Sequence, residues 1–286
     1  MFETILYPTD FSDYSQAPLF CLPAIPGVRK IIILHVVDDP SVSRDTPYQD
    51  PLVANARIML GLMAKHIAGP DLAVEYRVDA LQRRNVSDII LDYALKEGAS
   101  MIVMGARGKG ATEQRLGSVS ADVLKKSTLP LLLMKFRSVH GPDRTTFEKY
   151  GTSLFARVLV PTDFSLHAEA TVAALAGIPL IGPLILLHVV DERMSINTPV
   201  VLDGAGSRLA GLQEDLIRRS ITAISRIRFG DPAREIVSAA EEEDVSLIAM
   251  NPLGEGILRQ IRELVIGSTT AAVAWSAERP VLVLRM

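Results

Sequence analysis

The stretch "ILYPTDFSDYS" at residues 5–15 recurs as "VLVPTDFSLHA" at residues 158–168, and this recurrence decides the fold. Four further blocks recur in the same order: 31–39 with 184–192, 101–110 with 247–256, 116–124 with 266–274, and 129–136 with 279–286. Five blocks in one order argue against a chance resemblance. The period is that of a whole domain, far above the roughly 20–50 residues of a solenoid repeat. The sequence therefore predicts two copies of one domain.

The composition is that of a globular protein, with 48% apolar and 22% charged residues in a chain of 286. The net charge of −3 does not indicate a nucleic-acid-binding face. No apolar run approaches the roughly 18 residues of a membrane span. The single cysteine, Cys21, cannot form an internal disulfide. We expect a cytoplasmic protein with neither nucleic acid nor a membrane as a partner.

The stretch "RSVHGPDRTTFEKYGTS" at residues 137–153 separates the two copies. It lacks a sustained apolar period and carries glycine, proline, serine and threonine, which is typical of a linker. The sequence therefore predicts a first domain at residues 1–138, a linker at 139–153 and a second domain at 154–286.

Short apolar runs alternate with helical patterns in each copy. In copy one the predicted strands are 3–8, 30–37, 72–79, 100–105 and 130–136, and the predicted helices include 51–68 and 86–97. The strands are apolar on both faces, as buried parallel strands are. The alternation predicts an α/β fold made of two tandem doubly wound domains, each with a five-stranded parallel sheet. We assume the strand order 3-2-1-4-5.

The buried face of one predicted helix of copy one, and the two ends of the other, are assigned to particular residues. The buried stripe of 51–68 is expected at Leu52, Ala56, Met59, Met63 and Ile67. For 86–97, Asn85 is a candidate N-cap and Gly98 a C-terminal stop. In copy two, the third strand is expected to be shorter, near 226–229.

A glycine-rich segment, "MGARGKGATEQRLGSVSADVL" at residues 104–124, follows the fourth strand. In the assumed order it faces the "PTDFS" loop across the crevice where strand order reverses, which is where such sheets bind ligands. Gly105 is expected to need unusual backbone angles. The other features of the segment suit a phosphate: Gly108 and Gly110 leave amides open, Gly117-Ser118 begins a helix, and Arg107, Lys109 and Arg115 add positive charge. The alternatives are a plain turn at Gly105, close packing at Gly117 and a helix cap at Ser118.

Other motifs with known chemistry do not fit. Ala111-Thr112 stands where a P-loop requires Lys-Ser/Thr, and Glu113 takes the third glycine position of G-x-G-x-x-G. The histidines show no metal-site spacing. His35 and His188 are expected to make local hydrogen bonds, with ligand contact as the alternative. The methionines are expected in the core: Met59, Met63, Met101 and Met104.

Together these features resemble the universal stress protein family in its tandem two-domain form, whose fold is adenine nucleotide alpha hydrolase-like. The family motif is G-x2-G-x9-G-[ST] after strand 4, with an aspartate at the end of strand 1. Gly105, Gly108 and Gly117-Ser118 match that motif, although eight residues rather than nine separate Gly108 from Gly117. Asp10 matches the strand-1 aspartate, and "HVVD" at 35–38 matches the end of strand 2.

The resemblance implies that ATP or AMP binds, with the ribose at the Asp10 carboxylate and the adenine near Val36 and Val37. Capping of the following helix is the other role open to Asp10. Mg²⁺ is a candidate companion of ATP. The implied nucleotide-binding residues are Pro8, Thr9, Asp10, Val36, Val37, Met104, Gly105, Arg107, Gly108, Gly117, Ser118 and Val119.

Copy two departs from the motif, because Asn251 replaces the first glycine, Pro252 removes an amide donor and Glu255 replaces a lysine. We therefore expect weaker binding there, or a structural role. The implied second-site residues are Pro161, Thr162, Asp163, Val189, Val190, Gly254, Gly267, Ser268 and Thr269.

The resulting prediction is an adenine-nucleotide-binding stress-response or signalling protein. The alternatives are a slow ATPase or adenylyl-transfer enzyme of a related fold, and a nucleotide-free interaction scaffold. No catalytic residues are predicted, since no second metal-binding carboxylate or water-activating residue stands out, and at most weak ATP hydrolysis is expected. The last strands, 130–136 and 280–286, would be sheet edges. The family pairs them, which implies an internal pseudo-dimer, a candidate homodimer and protein partners still to be identified.

Overall fold

The protein is described by a computed structural model that covers residues 1–39, 50–81, 84–108, 116–140, 145–191, 198–253 and 266–285. The predicted roles of Lys109, Gly110, Arg115, Gly254 and Glu255 lie outside these ranges. The chain forms two compact units, Met1–Met134 and Lys135–Met286.

The first unit contains a five-stranded parallel sheet. Its strands are β1 (Thr4–Pro8), β2 (Lys30–Val37), β3 (Ala73–Ala80), β4 (Met101–Gly105) and β5 (Leu131–Met134). Their spatial order is β3-β2-β1-β4-β5, and every neighbouring pair is parallel. The predicted fold class and the assumed strand order are therefore confirmed. The three inner strands are almost completely buried, because helices cover a parallel sheet on both faces.

The described residues of the first unit form four α-helices: α1 (Asp13–Gln16), α2 (Pro51–Ile67), α3 (Val86–Lys96) and α4 (Ser118–Lys126). A 3-10 helix, Ala17–Ala24, follows α1. Asn85 occupies the N-cap position of α3, but its side chain makes no capping hydrogen bond. Gly98 ends that helix region in a left-handed conformation with φ of 63°, as predicted.

The buried face of α2 differs in register from the predicted stripe. Ala56, Met63 and Ile67 are buried as expected, but Leu52 and Met59 are 42% and 38% exposed. Val53 and Leu60 take their places in the core. A neighbouring position lies only about 100° away around a helix, so a spacing pattern alone does not distinguish the two registers.

The second unit repeats the sheet. Its strands are β8 (Val158–Pro161), β9 (Leu184–Val190), β10 (Ala223–Phe229), β11 (Leu247–Met250) and β12 (Val281–Val283). They are parallel, in the order β10-β9-β8-β11-β12, which is the same topology as in the first unit. β10 begins earlier than the predicted third strand. The helices are α5 (Leu166–Leu175), α6 (Thr198–Arg218), α7 (Pro232–Glu242) and α8 (Ser268–Ser276).

An antiparallel hairpin lies within the stretch predicted as a linker. Its strands are β6 (Arg137–His140) and β7 (Thr145–Glu148). The buried ring of Tyr150 follows it, with the guanidinium of Arg137 at 5.5 Å and that of Arg279 at 4.4 Å from the ring centroid. These contacts attach the segment to the second unit. The linker prediction made no statement about these contacts, since hairpin pairing and cation–π contacts leave no apolar period in the sequence.

Substitution of alanine at two glycines of the first unit is expected to change the stability of the protein in opposite directions. Gly61 lies inside α2, where an added Cβ would meet only the Tyr76 side chain, with the hydroxyl oxygen at an ordinary contact distance of 3.7 Å. Gly61→Ala is therefore expected to raise the free energy of unfolding by about 1 kcal/mol. A Cβ added at Gly98 would meet nothing within 4 Å, but a φ of 63° favours glycine, so Gly98→Ala is expected to lower the free energy of unfolding by about 1 kcal/mol. Urea unfolding of both variants measures the difference, and equal shifts would contradict it.

Candidate functional site

A cleft of about 850 Å³ opens at the carboxyl ends of β1, β2 and β4, where the strand order of the first unit reverses. This volume lies in the range of small-molecule sites. All twelve residues predicted for the first site line this one cleft: Pro8, Thr9, Asp10, Val36, Val37, Met104, Gly105, Arg107, Gly108, Gly117, Ser118 and Val119. Chain folding brings them together from three stretches of sequence.

The loop after β1 has an unusual backbone that orients Asp10. Phe11 adopts a left-handed conformation with φ of 61°. Asp10 Oδ1 accepts hydrogen bonds from Ser12 N at 3.0 Å and Ser12 Oγ at 2.6 Å. Ser12, rather than Asp10, caps α1, because its Oγ accepts from Ser15 N at 3.2 Å. The capping role that the sequence left open for Asp10 is therefore wrong.

Gly108 makes room for the second carboxylate oxygen of Asp10. A Cβ added at Gly108 would lie 2.5 Å from Asp10 Oδ2. The loop after β4 thus approaches the loop after β1 closely, and a residue without a side chain is needed at the contact. The glycine serves the placement of the carboxylate, a role that spacing in the sequence did not reveal.

Gly105 is required by packing and not by its backbone angles. It belongs to regular strand β4 and does not have a positive φ, so the expectation of unusual angles is wrong. An added Cβ would lie 2.8 Å from Tyr14 O and 3.0 Å from Arg107 O. Both atoms are backbone and cannot rotate away.

The start of α4 forms the wall opposite the β1 loop. The helix begins at Ser118 with Gly117 at the N-cap, and no side chain caps it. The alternative in which Ser118 caps its own helix is therefore wrong. Gly117 N donates to Ala106 O at 2.9 Å, so that amide is already used. The next amides, from Ser118 onward, stand at the positive end of the helix dipole beside the cleft.

The charges in the cleft are mixed. Arg107 is half-buried, and its guanidinium lies over the Tyr14 ring at 5.8 Å from the centroid. Asp10, Asp38 and Asp39 also line the cleft.

A buried tyrosine lies beneath the loop after β1. Burial raises the pKa of Tyr7 well above its usual value, with smaller contributions from Cys21 and the Asp10 carboxylate. The Tyr7 hydroxyl donates to Ser15 O beneath the loop.

His35 forms part of the cleft wall through local contacts. Its Nδ1 lies 2.7 Å from Thr9 O, and its ring packs against Phe11 with a centroid separation of 4.2 Å. The expectation of local hydrogen bonding is confirmed. Sequence reasoning missed other lining residues, chiefly Phe11, Leu52, Asn55 and Met59. Leu52 and Met59 could have been found from the sequence, because they are apolar residues of the predicted α2 stripe that the core does not bury.

The second unit reproduces the β1 loop closely. Phe164 also has φ of 61°, and Asp163 Oδ1 accepts from Ser165 N at 3.0 Å. His188 Nδ1 lies 2.8 Å from Thr162 O. Of the predicted second-site residues, Pro161, Thr162, Asp163, Val189 and Val190 lie at or just beyond the carboxyl ends of β8 and β9.

The start of α8 also resembles that of α4. Gly267 is the N-cap, with Ser268 and Thr269 in the first turn. Thr270 Oγ1 donates to Asn251 O at 2.9 Å, just as Ser120 Oγ donates to Gly105 O at 2.9 Å. Gly254, the remaining predicted residue, lies outside the described residues.

Two features are absent from the described residues. No group of three or more histidine, cysteine, aspartate or glutamate side chains that could hold a metal ion occurs among them. In the same part of the chain, no helix combines the length and the hydropathy needed to cross a membrane.

Comparison with known families gives the same two-part division. The model described as "Universal stress protein family" matches residues 1–135 and again residues 154–285. Universal stress protein MJ0577 of Methanocaldococcus jannaschii is 28% identical over 168 residues, which cover 47% of this chain and 96% of that protein. Universal stress protein Slr1230 of Synechocystis is 26% identical over 212 residues, covering 73% of this chain and 66% of that protein.

Solved structures extend the similarity to the whole chain. A universal stress protein from Archaeoglobus fulgidus has a TM-score of 0.73 and 26% identity, with 100% of both chains covered. A putative universal stress protein from Pseudomonas aeruginosa has a TM-score of 0.66 and covers 99% of this chain and 93% of its own. Its 13% identity supports similarity of fold alone.

Proposed function

The chain belongs to the universal stress protein family, and from that premise we propose that its first unit binds an adenine nucleotide, ATP or AMP. The observation that carries the proposal is the convergence of all twelve sequence-predicted residues on one cleft. The site lies at the strand-order reversal, the usual ligand position in this class of sheet. We expect the bound nucleotide to serve a stress-response or signalling role by shifting a surface that partners contact.

The base and ribose would lie between the ends of β1 and β2. Val36 and Val37 supply an apolar wall, and Met59 supplies another on α2. The Asp10 carboxylate can accept hydrogen bonds from ribose hydroxyls. Its orientation is fixed in advance by Ser12, which lowers the entropy cost of binding.

The phosphates would lie at the start of α4. The amides of Ser118 and Val119 and the helix dipole favour an anion there. Arg107 adds a charged donor at the same end of the cleft. This arrangement resembles other helix-start phosphate sites, in which backbone amides provide most of the contacts.

The second unit is proposed to bind nucleotide weakly or to serve as a structural partner. It keeps Asp163 and the left-handed loop. At the phosphate end, however, Pro252 has no amide hydrogen to donate. The side-chain amide of Asn251 donates to Leu253 O and is therefore already engaged. The first unit therefore offers more donors to a phosphate.

Two experiments test the proposal. Mass spectrometry of small molecules released from the purified protein is expected to identify ATP or AMP. Titration of the stripped protein with each nucleotide then compares Asp10→Ala with Asp163→Ala, a matched pair at equivalent positions. Asp10→Ala is expected to weaken binding about tenfold or more, because charged hydrogen bonds contribute about 1.5–3 kcal/mol. A greater loss from Asp163→Ala would reverse the assignment of the units.

A turnover assay, together with the binding titrations, distinguishes the alternative functions. The loss of ATP over time is measured with and without Mg²⁺, with the Asp10→Ala protein as control. Multiple turnover that depends on Asp10 would favour an ATPase or adenylyl-transfer enzyme. Absence of any bound or titratable nucleotide would favour an interaction scaffold. Pairing of the edge strands and association of two chains also belong to the proposal, and measurement of the solution mass tests the latter.

A further inference from the structure

The loops after β1 and β8 differ in the side chain that donates a hydrogen bond to the carbonyl of the loop phenylalanine, Phe11 or Phe164. In the first unit Gln16 Nε2 donates to Phe11 O at 2.8 Å. In the second unit the equivalent position is Glu169, and a carboxylate group accepts hydrogen bonds but does not donate them. Arg208 Nη2 donates to Phe164 O instead, at 3.0 Å. The donor in the second unit thus comes from α6, whereas the donor in the first unit, Gln16, lies at the end of α1.

Arg208 stands where the first unit has Met59. The core residues of α2 and α6 correspond at one constant offset, Ala56 with Ala205, Leu60 with Leu209 and Ile67 with Leu216, and all six are buried. With that register, the position before Leu60 corresponds to the position before Leu209. Met59 lines the open cleft of the first unit. Its equivalent in the second unit is a long cation.

The Arg208 guanidinium covers the aromatic ring of the loop. It lies 4.3 Å from the Phe164 centroid, a separation typical of a cation–π contact. Phe164 is buried, at 8% exposure, whereas the equivalent Phe11 is only partly buried. The arginine therefore connects α6 to the loop through one hydrogen bond and one stacking contact. In the first unit the equivalent residues, Met59 and Phe11, both line the open cleft.

We propose that Arg208 weakens nucleotide binding to the second unit by filling the base pocket, and that Met59 leaves the equivalent pocket of the first unit open. The inference rests on the proposed nucleotide function and extends it, because it assigns the difference between the units to the base end of the cleft. A base entering the second pocket must displace the guanidinium from Phe164. It must also leave the Phe164 carbonyl without its donor, and that loss opposes binding.

The decisive variant is Arg208→Met, which gives the second unit the residue of the first. Adenosine is the probe, since it lacks phosphates and does not depend on the altered glycine segment of copy two. Equilibrium dialysis is expected to show one more equivalent of saturable adenosine binding than in the wild type. Arg218→Met is the matched control: it lies on the same helix, is exposed and pairs with Asp215, and it is expected to behave as wild type.

The reverse exchange is Gln16→Glu together with Met59→Arg, which reproduces the second unit in the first. It is expected to weaken adenosine and ATP binding about tenfold or more, with melting temperature and circular dichroism checking the fold. Wild-type behaviour of both Arg208→Met and a folded double variant would overturn the inference. Failure of the proposed function gives a different result, namely a wild-type protein that binds neither ATP nor AMP. In that case a gain of adenosine binding in Arg208→Met still supports the role of Arg208, and no gain overturns it.

Discussion

Replacing Gly108 with alanine is expected to weaken nucleotide binding about tenfold or more while the fold stays intact, because the Asp10 carboxylate must move. The added methyl group would lie 2.5 Å from Asp10 Oδ2, well inside contact distance. The obstructing atom is the end of a side chain, so rotation of the carboxylate relieves the clash at little cost to stability. Titration with ATP measures the loss, and the melting temperature checks the fold.

A double-mutant cycle separates this explanation from a simpler one. If Gly108 matters because it leaves space for Asp10, then Gly108→Ala adds little further loss in an Asp10→Ala protein. If the glycine instead lets a phosphate approach the backbone, the loss is the same in both backgrounds. Gly69→Ala is the control for alanine substitution, since its Cβ would meet nothing within 4 Å. Additive losses would therefore overturn the assignment of Gly108 to the carboxylate.

Gly182→Ala is expected to have the largest effect on stability, a loss of about 3 kcal/mol in the free energy of unfolding of the second unit. Gly182 precedes β9, and its amide donates to Phe155 O at 2.8 Å. An added Cβ would come within 2.0 Å of Ala156 O and 2.9 Å of Phe155 O. Both are backbone atoms in the segment leading to β8, so the strand must move to accept the methyl group.

Gly211→Ala provides the matched control within the same unit. It lies in α6, and its Cβ would have open space around it. Alanine is expected to raise stability there by about 1 kcal/mol through helix propensity. Urea unfolding measured for both variants should therefore give shifts of opposite sign. A Gly182→Ala protein as stable as the wild type would contradict the packing described here.

The fold was predictable because the recurring blocks contain four of the five strands of each copy, all except the third. "PTDFS" and "HVVD" mark the ends of the first two strands in both copies, and the apolar runs between helices are short and regular. Strand order came from the assumption of a common doubly wound topology, which the sheets confirm. Buried parallel strands give a strong signal, since both faces must be apolar.

The site was only partly predictable, because several of its features depend on contacts between distant segments. The approach of Gly108 to Asp10 joins residues almost a hundred positions apart, and no local pattern encodes it. Arg208 shows the same limit, because an arginine on an amphipathic helix normally indicates a solvated face. Its stacking on Phe164 becomes visible only when α6 is placed beside the β8 loop.

The left-handed backbone conformation of Phe11 and Phe164 also has a consequence for how the two copies arose. A residue other than glycine in that conformation costs about 1 kcal/mol or more, and the chain carries the cost at both Phe11 and Phe164. The same costly turn, with the same aspartate–serine and histidine–threonine bonds, is inherited more simply than invented twice. Inheritance of one loop from a single ancestral domain accounts for both copies. The glycine segments and the Met59 and Arg208 positions, in contrast, differ between the two copies.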